Sequence, residues 1–99
     1  VQNGDVRGEW VLAPGYDNQR RLLYIHGGAF FAGSPRSHRP ITDRLARLTG
    51  AAVFAVDYRL MPEHRRMAGI IDCREAYRWL LGMGPAGPGE PDFQVVAGA

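Results

Sequence analysis

The sequence contains no lysine: all 12 of its basic residues are arginine, set against 10 acidic residues in a chain of 99. That absence removes the phosphate-loop lysine, the Schiff-base lysine and the Ser-Lys dyad, and with them several classes of enzyme. Cysteine is nearly absent too. Cys73 stands alone, so neither an internal disulfide nor a cysteine-built zinc cluster can form, and a reducing, cytoplasmic setting fits that usage. Excess charge of one sign is missing: the net charge is +2, with arginines scattered from Arg7 to Arg78 among the acids. A nucleic-acid partner would call for a concentrated basic stripe, so none is expected. Long hydrophobic runs are also lacking. Leu22–Ile25 and Ala51–Val56 fall far short of the roughly 20 residues that span a bilayer, so no stable membrane insertion is expected. The opening residues, Val1-Gln2-Asn3-Gly4-Asp5, include no Met, no basic segment and no apolar segment, and no secretory signal is read there.

What is present is an ordinary globular composition. A hydrophobic share of 45% with 22% charged residues is too apolar for a solvating tail and implies a core. The length supports one domain at most, and α/β domains with helices on both sheet faces commonly run to roughly 200 residues or more. An incomplete domain is therefore one expectation from the start.

The hydrophobic pattern alternates between strands and helices. Glu9–Leu12 reads as a strand closed by the turn at Ala13-Pro14-Gly15, which suggests an N-terminal hairpin. Leu22–Ile25 and Ala51–Val56 are continuous apolar runs, the mark of strands buried on both faces. Between them Ile41, Leu45 and Leu48 fall at i, i+4, i+7, predicting an amphipathic helix that ends at Gly50. From Met67 to Leu81 the spacing is helical again, with Ile70, Cys73, Tyr77 and Leu80 on the expected inner face and Asp72, Glu75 and Arg78 turned away. A Gly- and Pro-rich linker, Gly84 to Pro91, leads to a third apolar strand at Phe93–Gly98. The expected fold is α/β, an N-terminal hairpin followed by a β-α-β-α-β parallel sheet. Ligands of such sheets bind beyond the carboxyl ends of the strands, so His26, Asp57 and Gly98 should share one edge.

Two of those strand ends carry motifs. After the first comes His26-Gly27-Gly28-Ala29, whose adjacent glycines let the main chain turn sharply and aim successive N–H groups into a cleft, as a developing oxyanion requires. Alone, the tripeptide reads better as a tight turn beside a buried histidine. After the second comes Asp57-Tyr58-Arg59-Leu60-Met61-Pro62-Glu63-His64, separated from the first by one complete β-α-β crossover.

This pair of motifs resembles the hormone-sensitive-lipase-like branch of the α/β-hydrolases, the bacterial family IV esterases, with their His-Gly-Gly-Gly loop and Asp-Tyr-Arg-Leu-Ala-Pro-Glu-His segment. The likeness extends through Gly33-Ser34-Pro35-Arg36-Ser37-His38 and through the helix containing Asp72. It implies a partial α/β-hydrolase fold. Residues 1–99 would form a single incomplete domain, with the cap region and the C-terminal catalytic half absent. The amides of Gly28 and Ala29 would be the oxyanion hole, with Gly27 and His26 shaping the loop. The family usually has a third glycine where Ala29 stands, although the N–H survives the change. Asp57, Tyr58, Arg59, Glu63 and His64 would give structural support.

The family's nucleophile sits in Gly-Asp-Ser-Ala-Gly, and the resemblance places the first glycine at Gly98, with the serine directly after Ala99. The acid and base would lie further on. Ser34 and Ser37, the two serines present, are not flanked by elbow glycines and read as turn or helix-cap residues. His26, His38 and His64 lack the spacing of metal ligands and Cys73 reads as core, so no metal and no cofactor is expected. The implied activity is hydrolysis of short-chain carboxylic esters through a serine acyl-enzyme in the full-length protein, the 99-residue chain alone being inactive. The alternative is a catalytically inactive truncated product or an interaction module that keeps the hydrolase half-sheet. Such a chain should form a homodimer, aggregate or remain partly unfolded, because two helices cannot fully cover both faces of three buried parallel strands.

Overall fold

The structure is a computed structural model and describes residues 2–3, 6–27, 34–61 and 66–98. In chain order the elements are β1 (Gln2–Asn3), β2 (Val6–Val11), β3 (Asp17–Ile25), α1 (Arg39–Thr49), β4 (Ala51–Val56), α2 (Arg66–Leu80), β5 (Met83–Gly84), β6 (Gly87–Pro88) and β7 (Phe93–Gly98), with a 3-10 turn at Arg36–His38 before α1. Five strands form one sheet in the order β1-β2-β4-β3-β7. β3 pairs in parallel with β4 on one side and with β7 on the other, while β2 runs antiparallel to β4.

The hairpin at the N-terminus is made by β1 and β2. Across the turn at Ala13–Tyr16, by contrast, β2 does not fold back onto β3. It crosses to the far edge of β4, pairing Gly8 with Val56 and Val11 with Val53. The reason is that β3 already has a parallel neighbour on each side, so no edge remains for β2. β3 is also longer than its apolar run, because the polar residues Asp17–Arg20 extend it; Arg20 lies opposite Phe93, its guanidinium 5.5 Å from the ring centre.

β4 lies on one side of β3 and β7 on the other, so the two crossovers run in opposite directions. Right-handed connections then set α1 and α2 on opposite faces of the sheet. Successive strand residues divide between those faces. Leu22, Tyr24 and Val53 pack with Ala46 of α1, and Leu23, Phe54 and Val56 with Cys73, Ala76 and Leu80 of α2. Trp10, Phe54 and Trp79 add an aromatic cluster on the α2 side, with ring centres 5.0 to 6.1 Å apart. Each fully buried side chain of this size contributes about 1.5–3 kcal/mol.

The helices form where their periodicity predicts, but they are rotated relative to it. α1 has Pro40 in its first turn and ends at Gly50, whose φ of 69° lets its N–H reach the Ala46 carbonyl at 3.0 Å. It rests on the sheet through Thr42, Leu45 and Ala46, while Ile41 is exposed and Leu48 is 75% exposed. Small residues win the inner positions because they let the helix approach β4 closely. The buried Thr42 hydroxyl stays satisfied by donating to the Arg39 carbonyl at 3.2 Å. On α2 the inner stripe is Asp72, Cys73, Ala76 and Leu80, with Ile70 and Ile71 exposed. The expectation that Asp72 faces away is thus corrected: it is 4% exposed. Among the described residues no helix is long and apolar enough to cross a membrane.

Arg21 is the other buried charge. Its guanidinium donates to the carbonyls of Asn18 and Leu80, the latter at the C-terminus of α2, where unpaired carbonyls and the helix dipole favour a cation. Burial pulls its pKa below the ordinary arginine value. Beside it the segment expected to be a plain linker forms the short β5–β6 ribbon, and Gly84 is packed so tightly there that a Cβ would lie 2.8 Å from the Arg21 guanidinium.

At Gly8 a Cβ would strike the Ala55 carbonyl oxygen and the Phe54 ring, both held in the sheet core, whereas at Gly82 it would meet open space. Gly8→Ala is expected to lower stability by about 1–3 kcal/mol through overpacking, and Gly82→Ala to change it by less than about 0.5 kcal/mol. Urea denaturation of the two variants beside the parent checks the contrast.

Candidate functional site

The parallel register gathers the carboxyl ends of β3, β4 and β7. Tyr24 lies opposite Ala55, and Ile25 lies opposite Gly98, so His26, Asp57 and Gly98 stand along one edge. Ligands of open α/β sheets are bound at this edge. A surface cavity of about 480 Å³ opens beside it, lined by residues that include Arg7, Glu9, Ser34, Arg36 and Asp57.

His26 leaves the end of β3 and is 2% exposed. Its Nδ1 lies 2.9 Å from the Gly27 carbonyl oxygen, which can only accept, so Nδ1 carries the proton. Tyr58, arriving from the end of β4, stacks on the imidazole with ring centres 4.3 Å apart and donates its hydroxyl to the His26 carbonyl at 2.7 Å. The segments that leave β3 and β4 are therefore joined directly. Burial pulls the His26 pKa down, and the neighbouring His38 adds to that, against an opposing pull from the Gly27 hydrogen bond and Asp57. His26 is thereby held neutral. Its Nε2 is buried and has no hydrogen-bond partner among the described residues.

Arg59 secures the same segment to α2. Its Nε donates to Asp72 Oδ2 and its Nη2 to Asp72 Oδ1, both at 2.9 Å, and the Arg59 backbone N–H adds a third bond to Oδ2 at 2.8 Å. A two-pronged pair of this kind fixes orientation as well as distance. Asp72 went unrecognised in the sequence as the partner of Arg59. The available signal was its place at i in the stripe Asp72, Ala76, Leu80, spaced by four, which marks an inward position.

Ser34 and Ser37 close a small reciprocal box. The Ser37 N–H donates to Ser34 Oγ at 3.2 Å and the Ser34 N–H to Ser37 Oγ at 3.0 Å, the pattern of a helix-capping box at the start of the 3-10 turn. Ser37 Oγ donates in turn to the Ser34 carbonyl at 2.9 Å. His38 Nδ1 lies 3.2 Å from that carbonyl, which can only accept, and 3.1 Å from Ser37 Oγ, so a proton on Nδ1 is shared between the two, and the His38 ring stacks on His26 with centres 5.4 Å apart. With the proton on His38 Nδ1 and that of Ser37 on the Ser34 carbonyl, the imidazole presents a donor and not a lone pair to Ser37 Oγ, 3.1 Å away, which is not the arrangement of a nucleophile and its base.

The other residues singled out by sequence divide as follows. Gly27 is half-buried next to His26, and Asp57 is half-buried on the cavity wall, its N–H bonded to the Arg7 carbonyl at 2.7 Å. Gly28, Ala29, Glu63, His64 and Ala99 lie outside the described residues. Cys73 is buried against β4, and burial together with Asp72 pushes its thiol up to about 11, so it is inert at neutral pH. Among the described residues no three His, Cys, Asp or Glu side chains gather closely enough to hold a metal ion.

Comparison with known proteins places this geometry. Residues 22–99 match a family described as alpha/beta hydrolase fold. An acetyl-hydrolase of Streptomyces hygroscopicus is 44% identical over 84 residues, 85% of this chain and 28% of its own length. Esterase LipU of Mycobacterium tuberculosis is 39% identical over 93 residues, 94% of this chain and 30% of its own. The crystal structure of a hormone-sensitive lipase from a metagenome library superposes with a TM-score of 0.85 at 35% identity, covering 99% of this chain and 32% of that one. The chain thus spans less than a third of the length of these relatives.

Two outcomes are expected from the site's polar contacts. Asp72→Ala removes the buried carboxylate that receives the Arg59 guanidinium and backbone N–H and should cost on the order of 3 kcal/mol, reduced to the extent that Arg59 reaches water; chemical denaturation measures it. The depressed His26 pKa gives a pH response of known sign. The folded state binds its proton less readily than the unfolded chain, whose value is the ordinary 6.5, so the full contribution is present above that value. Stability falls as pH drops below about 6.5 and levels off once the folded pKa is passed. Thermal melts at descending pH, with His26→Asn as the variant lacking the slope, test this.

Proposed function

Because the chain belongs to the α/β hydrolase fold family, in its hormone-sensitive-lipase-like branch, we propose that the full-length protein is a carboxylic ester hydrolase acting on short-chain esters through a serine acyl-enzyme. The observation that carries this reading is the meeting of His26, Tyr58 and Gly98 at one sheet edge, with the His-Gly-Gly loop leaving from it. In this proposal the serine follows Ala99 directly, in an elbow that begins at Gly98, and a downstream His and Asp serve as base and orienting acid. The amides of Gly28 and Ala29, with that of the residue after the serine, hold the oxyanion. Amide donors fixed before the reaction need no reorganisation when charge develops on the carbonyl oxygen.

Gly27 and His26 shape the loop in this account, and Asp57, Tyr58, Arg59, Glu63 and His64 support it. Tyr58 bonds to the carbonyl of His26, and Arg59 ties the segment to α2 through Asp72. A small-molecule ester is the partner, and the mechanism needs no cofactor. The 99 residues would form one incomplete domain, short of the cap region and the catalytic half.

The coding DNA beyond the codon for Ala99 decides first. An in-frame Ser-x-Gly supplies the nucleophile, and a stop codon would instead leave an inactive or binding protein. With the serine present, the full-length protein is expected to hydrolyse p-nitrophenyl acetate and to take one fluorophosphonate label per chain. The 99-residue chain should do neither; stoichiometric labelling of it would move the nucleophile to Ser34 or Ser37 and sink the proposal.

A further inference from the structure

We infer that His38 is a positioning residue for the oxyanion loop, a clasp that joins the two ends of the segment running from Gly27 to Ser34. The inference rests on the esterase reading, since it is that reading which gives the segment a catalytic task. At the entry to the segment stands His26, on which the His38 ring stacks with centres 5.4 Å apart and planes 27° from parallel. At the exit stands Ser34, whose carbonyl accepts the His38 Nδ1 proton at 3.2 Å. One side chain therefore touches both ends.

The position of His38 in the chain argues against a merely local role. It occupies the N-cap position of α1, yet its side chain makes no capping bond to that helix. It reaches back to the segment instead. Its ring lies beside Tyr24 of the central strand, with centres 6.0 Å apart, and its backbone is continuous with α1, which rests on β4. Ser37 supports the same arrangement by donating to the carbonyl that His38 uses. The clasp thus sits against the central strand and at the start of α1.

The chemistry explains why such a clasp would be kept. Oxyanion donors act only at about 2.7–3.1 Å from the oxygen, and a displacement of about 1 Å can cost a hundredfold in rate. Glycine loses more backbone freedom on ordering than any other residue, so holding both ends with one ring lowers the cost of fixing the amides between them.

The test uses the full-length protein with His38→Ala, His38→Asn and His38→Phe. Hydrogen exchange of amides 27–34 is measured together with kcat and KM for a short p-nitrophenyl ester. His38→Ala should speed exchange in that segment about tenfold while β3 and α1 keep their protection, and should lower kcat about ten- to a hundredfold with KM within about twofold. His38→Asn places an amide donor where Nδ1 stood and should recover much of the loss. His38→Phe keeps the ring and the bulk without the bond to Ser34, gives an intermediate loss, and answers the question if His38→Ala does not fold. Unchanged exchange in the segment, or a freed segment with unchanged kcat, overturns the inference, as does a loss shared equally by every element. If the unsubstituted protein hydrolyses no ester, the esterase reading falls instead, and the exchange data alone decide for or against the clasp.

Discussion

The structure depends on the confinement of β3. Two parallel neighbours take both its edges and two helices cover both its faces, so Arg21–Tyr24 are wholly buried and every backbone group there must pair within the sheet. The flanking elements follow from that confinement. β2 has to use the outer edge of β4, α1 and α2 have to take opposite faces, and the carboxyl ends of three strands have to come out together.

Polar groups gather where the strands end, because there the ladder stops supplying partners. Tyr58 donates to the His26 carbonyl, Arg59 forks onto Asp72, and His38 serves the Ser34 carbonyl. The first two pairs join segments distant in sequence, while His38 and Ser34 lie four residues apart and His38 reaches the β3 end by stacking on His26. They tie the loop after β3 to the segment after β4, to α2 and to the start of α1, so rigidity at the edge is borrowed from the core. A reaction that needs amide donors in fixed positions is well served by an edge braced in this way.

The outer side of the sheet is a different matter. β7 pairs only with β3 among the described residues, and Phe93 and Val96 on it are exposed, as are Met67, Ile70 and Ile71 on α2. Parallel strands are normally covered on both faces. The chain spans less than a third of the length of the relatives described above.

Much of the fold was legible before any coordinates. Apolar runs marked β3, β4 and β7, and Gly50 marked the end of α1, because strand burial and helix termination are written locally. Two motifs one crossover apart carried the family. The sequence by itself determined β2, β3, β4, β7 and the two helices, their order and the edge on which they converge, but not β1 or the β5–β6 ribbon. Only the tertiary structure decided which side of each helix lies inward. The stripe Ile41, Leu45, Leu48 is the most apolar face of α1, yet the smaller Thr42 and Ala46 are pressed against β4. Only the tertiary structure revealed that Asp72 is the partner of Arg59, that Arg21 caps α2, and that His38 bridges two loop ends. The reason is physical: periodicity is a property of one helix, whereas closeness of approach and the pairing of buried charges are properties of two surfaces, and the second surface comes from a distant part of the chain.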